Sequence, residues 1–146
     1  MAKQREIPSR ETMEVEFKSE FKRSPSGALK PSRLPDGELV DTVVALSNTN
    51  GGEIYLGVED DGVPTGVHKD HRDVTQLAAL IANKTVPPVP ARVSTLFLAS
   101  DGSTDDAGKQ VTLVEIPRSM AIVSSSEGKI MRRRLKADGT PESVPL

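Results

Sequence analysis

The sequence predicts one two-layer α/β (α+β) domain, with two main helices packed on a mixed sheet of about five strands. Three observations carry that prediction. Apolar residues recur at helical spacing in two stretches, they alternate at period two in several others, and turn residues separate the stretches in the order β-α-β-α-β-β-β. At 146 residues the chain has the size of a single domain with one core, so residues 1–146 are read as one unit.

Met13, Val15 and Phe17 alternate with Glu14, Glu16 and Lys18, which predicts an opening strand with one apolar and one charged face. Residues 19–35 follow as a surface loop, because Pro25, Gly27, Pro31 and Pro35 interrupt any apolar run. Asp36 is placed to cap a helix carrying Leu39, Val40, Val43, Val44 and Leu46, and Gly51 with Gly52 ends it. Ile54, Leu56 and Val58 then form a second strand that runs into the acidic turn Glu59-Asp60-Asp61-Gly62.

A second helix is predicted to begin at Asp70, supported by Asp73 in its first turn, with Val74, Leu77, Ala78 and Ile81 on one face. Val86-Pro87-Pro88-Val89-Pro90 stops it, since proline offers no amide donor. Ala91 to Leu98 and Lys109 to Ile116 read as an antiparallel pair around a polar tip. A last strand is expected over Lys129 to Leu135, and residues 136–146 read as a polar tail or a lead into a further domain.

Composition excludes several classes. The chain has no cysteine, so disulfides and thiolate metal sites are ruled out, and a reducing, cytoplasmic setting is the expectation. No window has the apolar length of a membrane span, and the first residues lead into no apolar leader core. With a formal net charge of -2, any nucleic-acid contact must come from a local patch. Candidate patches are Lys18 with Lys22 and Arg23, and the run from Lys129 through Arg132, Arg133 and Arg134 to Lys136.

Three segments carry a family resemblance: Glu11 to Lys18 with its Glu16-Phe17-Lys18 opening, Val44 to Gly62 with Asn48-Thr49-Asn50-Gly51-Gly52 and Gly57-Val58-Glu59-Asp60, and Lys129 to Arg134. The chain resembles the Schlafen AlbA-like domain across most of its length. The resemblance implies an AlbA-like fold. It also implies an N-terminal module of a bacterial predicted transcriptional regulator or ATP-binding protein, with a winged-helix domain following. Nucleic acid, with DNA favoured, is the implied partner, and a homodimer is a further candidate assembly.

The resemblance also carries a second activity, because the animal members cleave RNA. Transferred to this chain, the Schlafen nuclease acids are Glu11, Glu16 and Asp60, which as a cluster would bind Mg²⁺ or Mn²⁺ through oxygen and make the domain a metal-dependent nuclease. Glu11 and Glu16 are five residues apart and would face opposite sides of one strand, so Glu11 must precede the strand to join the set. The competing reading makes these acids solvated strand and turn charges.

Phosphate-binding candidates are Asn48, Thr49, Gly51 and Gly52, where a glycine turn could admit a phosphate or ATP, and Lys18, Lys129, Arg132 and Arg134. On a strand Arg132 and Arg134 share one face while Met131 and Arg133 share the other. Structural alternatives are a helix C-cap for Asn50-Gly51-Gly52 and charged edge protection for the basic strand. No aromatic stacking platform is evident. Gly102 to Gln110 imitates a P-loop but has the wrong spacing and leads into a strand, while His68 and His71 lack further ligands for a metal site.

Overall fold

The computed structural model describes residues 6–146; the extreme N-terminus, read above for the absence of a leader, lies outside them. The alternation after Met13 produces β1 over Val15–Lys18. Met13 stays outside the strand, in a turn closed by mutual backbone hydrogen bonds between Thr12 and Val15 of 3.0 and 3.3 Å. Residues 19–35 are not all loop: β2 (Phe21–Arg23) and β3 (Leu29–Pro31) pair as an antiparallel hairpin. Pro31 is tolerated there because a two-stranded ribbon leaves edge positions that need no amide donor.

Helix α1 spans Asp36–Ser47 and buries Leu39, Val40, Val43, Val44 and Leu46. Its N-cap is Pro35, with no side-chain cap, so Asp36 is the first helical residue and not the cap expected. Asp36 pairs instead with Arg33 at 2.8 Å and, with Glu38, supplies negative charge to the first turn, where the helix dipole favours it. The helix closes where the Gly51 amide donates to Leu46 O at 2.7 Å, with Gly51 at φ +73°.

β4 follows at Gly52–Leu56. The expected start of the second helix at Asp70 is a short 3₁₀ turn, Lys69–His71; α2 itself runs Val74–Asn83, with Asp73 as N-cap accepting from the Thr75 and Gln76 amides at 3.1 Å each. Asp73 wins because its carboxylate reaches two free amides of the helix start, whereas the Asp70 carboxylate is turned to Arg33 at 3.2 Å.

β5 (Thr85–Val86) pairs with β8 (Ser124–Ser125), and β6 (Arg92–Leu98) forms the expected antiparallel hairpin with β7 (Lys109–Ile116). β9 spans Met131–Leu135. The expected polar tail holds a strand as well, β10 over Pro141–Pro145, which β9 supports through antiparallel register that a sequence without apolar alternation did not announce.

The result is an α+β fold. Its main sheet has four strands in the order β1-β4-β7-β6, one fewer than expected, because β9 pairs with β10 in a separate ribbon. β1 runs parallel to β4 while the other pairs are antiparallel. Two helices cover one face of the sheet, where Leu46, Ile54, Leu56, Ile81 and Val114 join a core of apolar side chains. A second, smaller core of Phe17, Tyr55, Val58, Leu98 and Val111 lies with Ile7 on the opposite face.

The register places the site. Glu16 is aligned with Ile54 and so faces the helical side, whereas Phe17 aligns with Tyr55 on the other, meeting it edge-on at a 6.0 Å ring separation. β1 is a sheet edge, so Glu16 looks out beside α1 toward the β9–β10 ribbon, which packs on that helix.

Candidate functional site

At this edge the chain brings together residues from both ends. Arg133 of β9 is 3% exposed, and its guanidinium meets Glu16 Oε2 at 2.7 Å, donates to Thr12 O at 2.9 Å and to Met13 O at 3.4 Å, and reaches Ser143 Oγ. Buried arginine of this kind is retained only with its donors satisfied. Lys18 stands 3.7 Å from Glu16 and 3.5 Å from Glu38.

Glu11 precedes β1, the arrangement needed for it to approach Glu16. Its Oε1 accepts the edge amide of Phe17 at 3.2 Å. Burial is the main cause that pushes its carboxyl up to about 7, reinforced by the negative charges of Glu16 and Asp60 and opposed by the Phe17 amide and by Arg133. Glu11, Glu16 and Asp60 all line one open cavity of about 870 Å³, together with Arg10, Asn50 and Lys136. Asp60 is brought there by a tight turn in which the Gly62 amide donates to Glu59 O and the Glu59 carboxylate accepts from Ser19 and Thr65 hydroxyls at 2.6 Å.

The residues do not fit a metal as arranged. Among the described residues no three His, Cys, Asp or Glu side chains are gathered closely enough to hold an ion, and one oxygen of Glu16 is occupied by Arg133. The three acids are therefore neighbours in one groove and not a coordination shell.

The asparagine-glycine segment is turned inward. Asn48 Nδ2 donates to Val123 O at 2.7 Å and Met131 O at 2.9 Å, and its Oδ1 accepts from Val123 N at 2.7 Å, so the amide stitches the end of α1 to β9 and to the residue that leads into β8. Thr49 Oγ1 donates to Ala45 O and accepts from Arg133 N at 2.9 Å. A side chain on Gly51 would fall 2.7 Å from the backbone of Ile116 and Arg118, and one on Gly52 would collide with the Glu14 carbonyl. These glycines serve close packing of backbone on backbone.

The basic strand divides in the expected parity but with different partners. Arg134 is tied to Glu142 at 2.7 Å across the ribbon, and Lys129 to Asp41 at 3.3 Å, whereas Arg132 has no ion pair among the described residues. Arg133, absent from the expected site, is its central cation. The signal was present, since it shares a face with the apolar Met131 and had to point inward with it.

Glu20 and His71 were also missed. Both are buried, with Glu20 accepting from the Leu34 amide at 2.7 Å, the His68 amide at 3.2 Å and His71 Nδ1 at 2.7 Å, which locks β2–β3, α1 and the 3₁₀ turn together. His68 and His71 are accounted for by these contacts and form no ligand pair. Residues 102–110 make the polar tip and the start of β7, with Leu98 bridged to Thr104, and no P-loop.

Comparison with known proteins gives the fold a context. No curated protein is similar enough to count as a match. The structure is similar to that of the DIP2311 protein from Corynebacterium diphtheriae, with a TM-score of 0.64, 19% identity and 92% of this chain covered; the chain spans 22% of that protein's length. At that identity the likeness concerns the fold. No helix among the described residues is long and apolar enough to cross a membrane. The family model described as "Schlafen, AlbA_2" matches residues 11–139, which include Glu11, Glu16, Asp60 and Arg133, and by that match the chain belongs to the Schlafen AlbA_2 domain family.

Proposed function

We propose that this domain is a nucleic-acid-binding module whose ligand lies in the groove beside β1. The observation that carries the reading is the distribution of charge along that groove. The cavity holding Glu11, Glu16 and Asp60 shares Glu16 and Asp60 with a second of about 390 Å³ that reaches Lys18 and Lys22, so the two form one continuous depression. Arg10 and Lys136 stand at one end and Lys22 at the other, none with an ion pair among the described residues.

In the middle two of the acids are partly neutralised. Glu16 faces Arg133 and Lys18, and Glu11 with its carboxyl near 7 is about half protonated at neutral pH. Arg10, Lys136 and Lys22 then supply local positive charge for a phosphate backbone at the ends, set against the carboxylates of Glu14, Asp60 and Asp138 that also line the groove. Family membership supports a nucleic-acid-related role, and a regulator of transcription would require preference for DNA.

The test is a salt titration of binding to single- and double-stranded DNA and RNA, with and without Mg²⁺ or Mn²⁺, read for retention and for cleavage. With about three phosphate contacts the log–log slope is expected at roughly -2 to -3, and Lys22→Gln with Lys136→Gln should flatten it by about 1.5. Retention that is absent, or insensitive to salt, refutes the proposal. Cleavage dependent on a divalent ion would require Arg133 to release Glu16 and would make the domain an enzyme.

A further inference from the structure

The hairpin β2–β3 separates two depressions. One face carries Lys22 and Lys30, directly opposite each other in the register, and Lys22 lines the groove described above. The other face carries Phe21 and Pro31, which with Glu20, Val67, His68, Lys69 and Arg72 line a second cavity of about 470 Å³, and Phe21 also borders the groove. We propose that this cavity receives one unstacked nucleobase of a single-stranded nucleic acid, its ring against Phe21, while the flanking phosphates lie on the Lys22/Lys30 face and on Lys69 and Arg72. This inference rests on the nucleic-acid reading of the groove and names the form of the ligand.

Four observations converge. First, Phe21 is the aromatic ring the groove can offer: Phe17 and Tyr55 are buried at 2% and 3% exposure, and Phe97 sits on β6 at the opposite edge of the sheet. Phe21 is half-buried, and a Cβ on Gly66 would come within 3.9 Å of its ring, so the missing side chain there leaves space beside it.

Second, the cavity has the size of a small-ligand site, with an apolar floor of Phe21, Pro31 and Val67 and polar groups at its rim. Third, like charges directly opposite on paired strands destabilise a hairpin, and Lys22 and Lys30 have no ion pair among the described residues. A phosphate between them removes that cost. Fourth, the acids nearby are already engaged: Glu20 is fully buried under three donors, and Asp70 is turned to Arg33 at 3.2 Å, leaving Lys69 and Arg72 without an ion pair among the described residues.

A base in a duplex must break its stack and pair to enter such a cavity, so a single strand is favoured. Base stacking on aromatic side chains is tolerant of sequence, which makes the site a reader of strand form more than of sequence.

The experiment uses the 146-residue chain with a 12-nucleotide single strand, as DNA and as RNA, containing 2-aminopurine, the matching duplex, and free AMP and ATP. Quenching of the 2-aminopurine on binding is expected, with the single strand bound more tightly than the duplex. Phe21→Leu should lose the quench and weaken binding about tenfold, Phe21→Tyr should retain both, and Lys22→Gln with Lys30→Gln should weaken binding and flatten its salt slope.

A Phe21→Leu protein that melts like wild type and binds with unchanged affinity and quench overturns the base cavity while leaving nucleic-acid binding intact. Equal affinity for duplex and single strand does the same. Saturation by AMP or ATP as tight as by the oligonucleotide would make the occupant a free nucleotide and overturn the strand proposal. Failure of the wild type to bind any oligonucleotide overturns both readings.

Discussion

Replacing Arg133 with methionine tests the centre of the site and the closure of the fold together. The side chain is 1% exposed and its partner carboxylate on Glu16 only 12%, so the pair is shielded from solvent. Removing the guanidinium leaves the Glu16 charge with Lys18 at 3.7 Å as its remaining cation, takes the donor from the Met13 carbonyl and leaves the Thr12 carbonyl with the Val15 amide. Breaking a buried pair from one side costs about 3–5 kcal/mol. For a domain of this size that corresponds to a fall in melting temperature of roughly 10–15 °C. Glu16→Gln should cost less, because Arg133 keeps its two backbone acceptors, and the double variant Arg133→Met with Glu16→Leu should recover part of the loss, since neither charge is then left unpaired. Thermal unfolding followed by circular dichroism measures all three. An Arg133→Met protein melting within about 3 °C of wild type would refute the assignment of Arg133 as the buried counter-ion, by the same scale.

The remaining predictions concern neighbouring residues. Glu11 has its carboxyl raised from the ordinary 4.5 to about 7, so the folded state holds a proton that the unfolded chain gives up; that contribution to stability is present below about 4.5 and is lost as pH rises through about 7. Glu11→Gln should therefore melt close to wild type at pH 5 and above it at pH 8, and a difference independent of pH would contradict the placement of Glu11. Asn48→Ala removes three hydrogen bonds at the junction of α1 and β9 and should destabilise by about 2–4 kcal/mol, measured by urea unfolding, with no loss of nucleic-acid affinity in the folded fraction. Gly52→Ala drives a methyl group into the Glu14 carbonyl and should yield little folded protein in a soluble-expression assay.

The elements that could be read from sequence are those whose own residues state a period. Leu77 and Ile81 on α2, Ile54 and Leu56 on β4, and the pairing of β6 with β7 follow from apolar spacing alone. β10 and the β2–β3 hairpin do not, because Pro141, Glu142 and Ser143 or Lys22 and Lys30 become strands through their partners and carry no apolar alternation. The helix starts differ from the reading by one and three residues: α1 begins after Pro35 with no side-chain cap, and at α2 two acids, Asp70 and Asp73, stood close enough to compete and geometry chose Asp73.

The site was legible in its acids and opaque in its cations. Glu11, Glu16 and Asp60 do share a cavity, but the reading of the basic strand looked outward to Arg132 and Arg134 when the decisive arginine lay on the inner face. The Glu20–His71 pair gave no signal, since a buried acid and histidine 51 residues apart become partners only when β2–β3 folds against the 3₁₀ turn.

The contact between Arg133 and Thr12 joins residues 121 positions apart, and this orders events during synthesis. Every strand of the main sheet and both helices precede Arg133 in the chain, so the scaffold can assemble on the ribosome while the groove is still missing its counter-ion. Until that arginine emerges, Glu11, Glu16 and Asp60 crowd one another without it. A chain cut short before β9 would lack both the cation that Glu16 meets and the ribbon that packs on α1, so closure of this edge waits for β9 and β10.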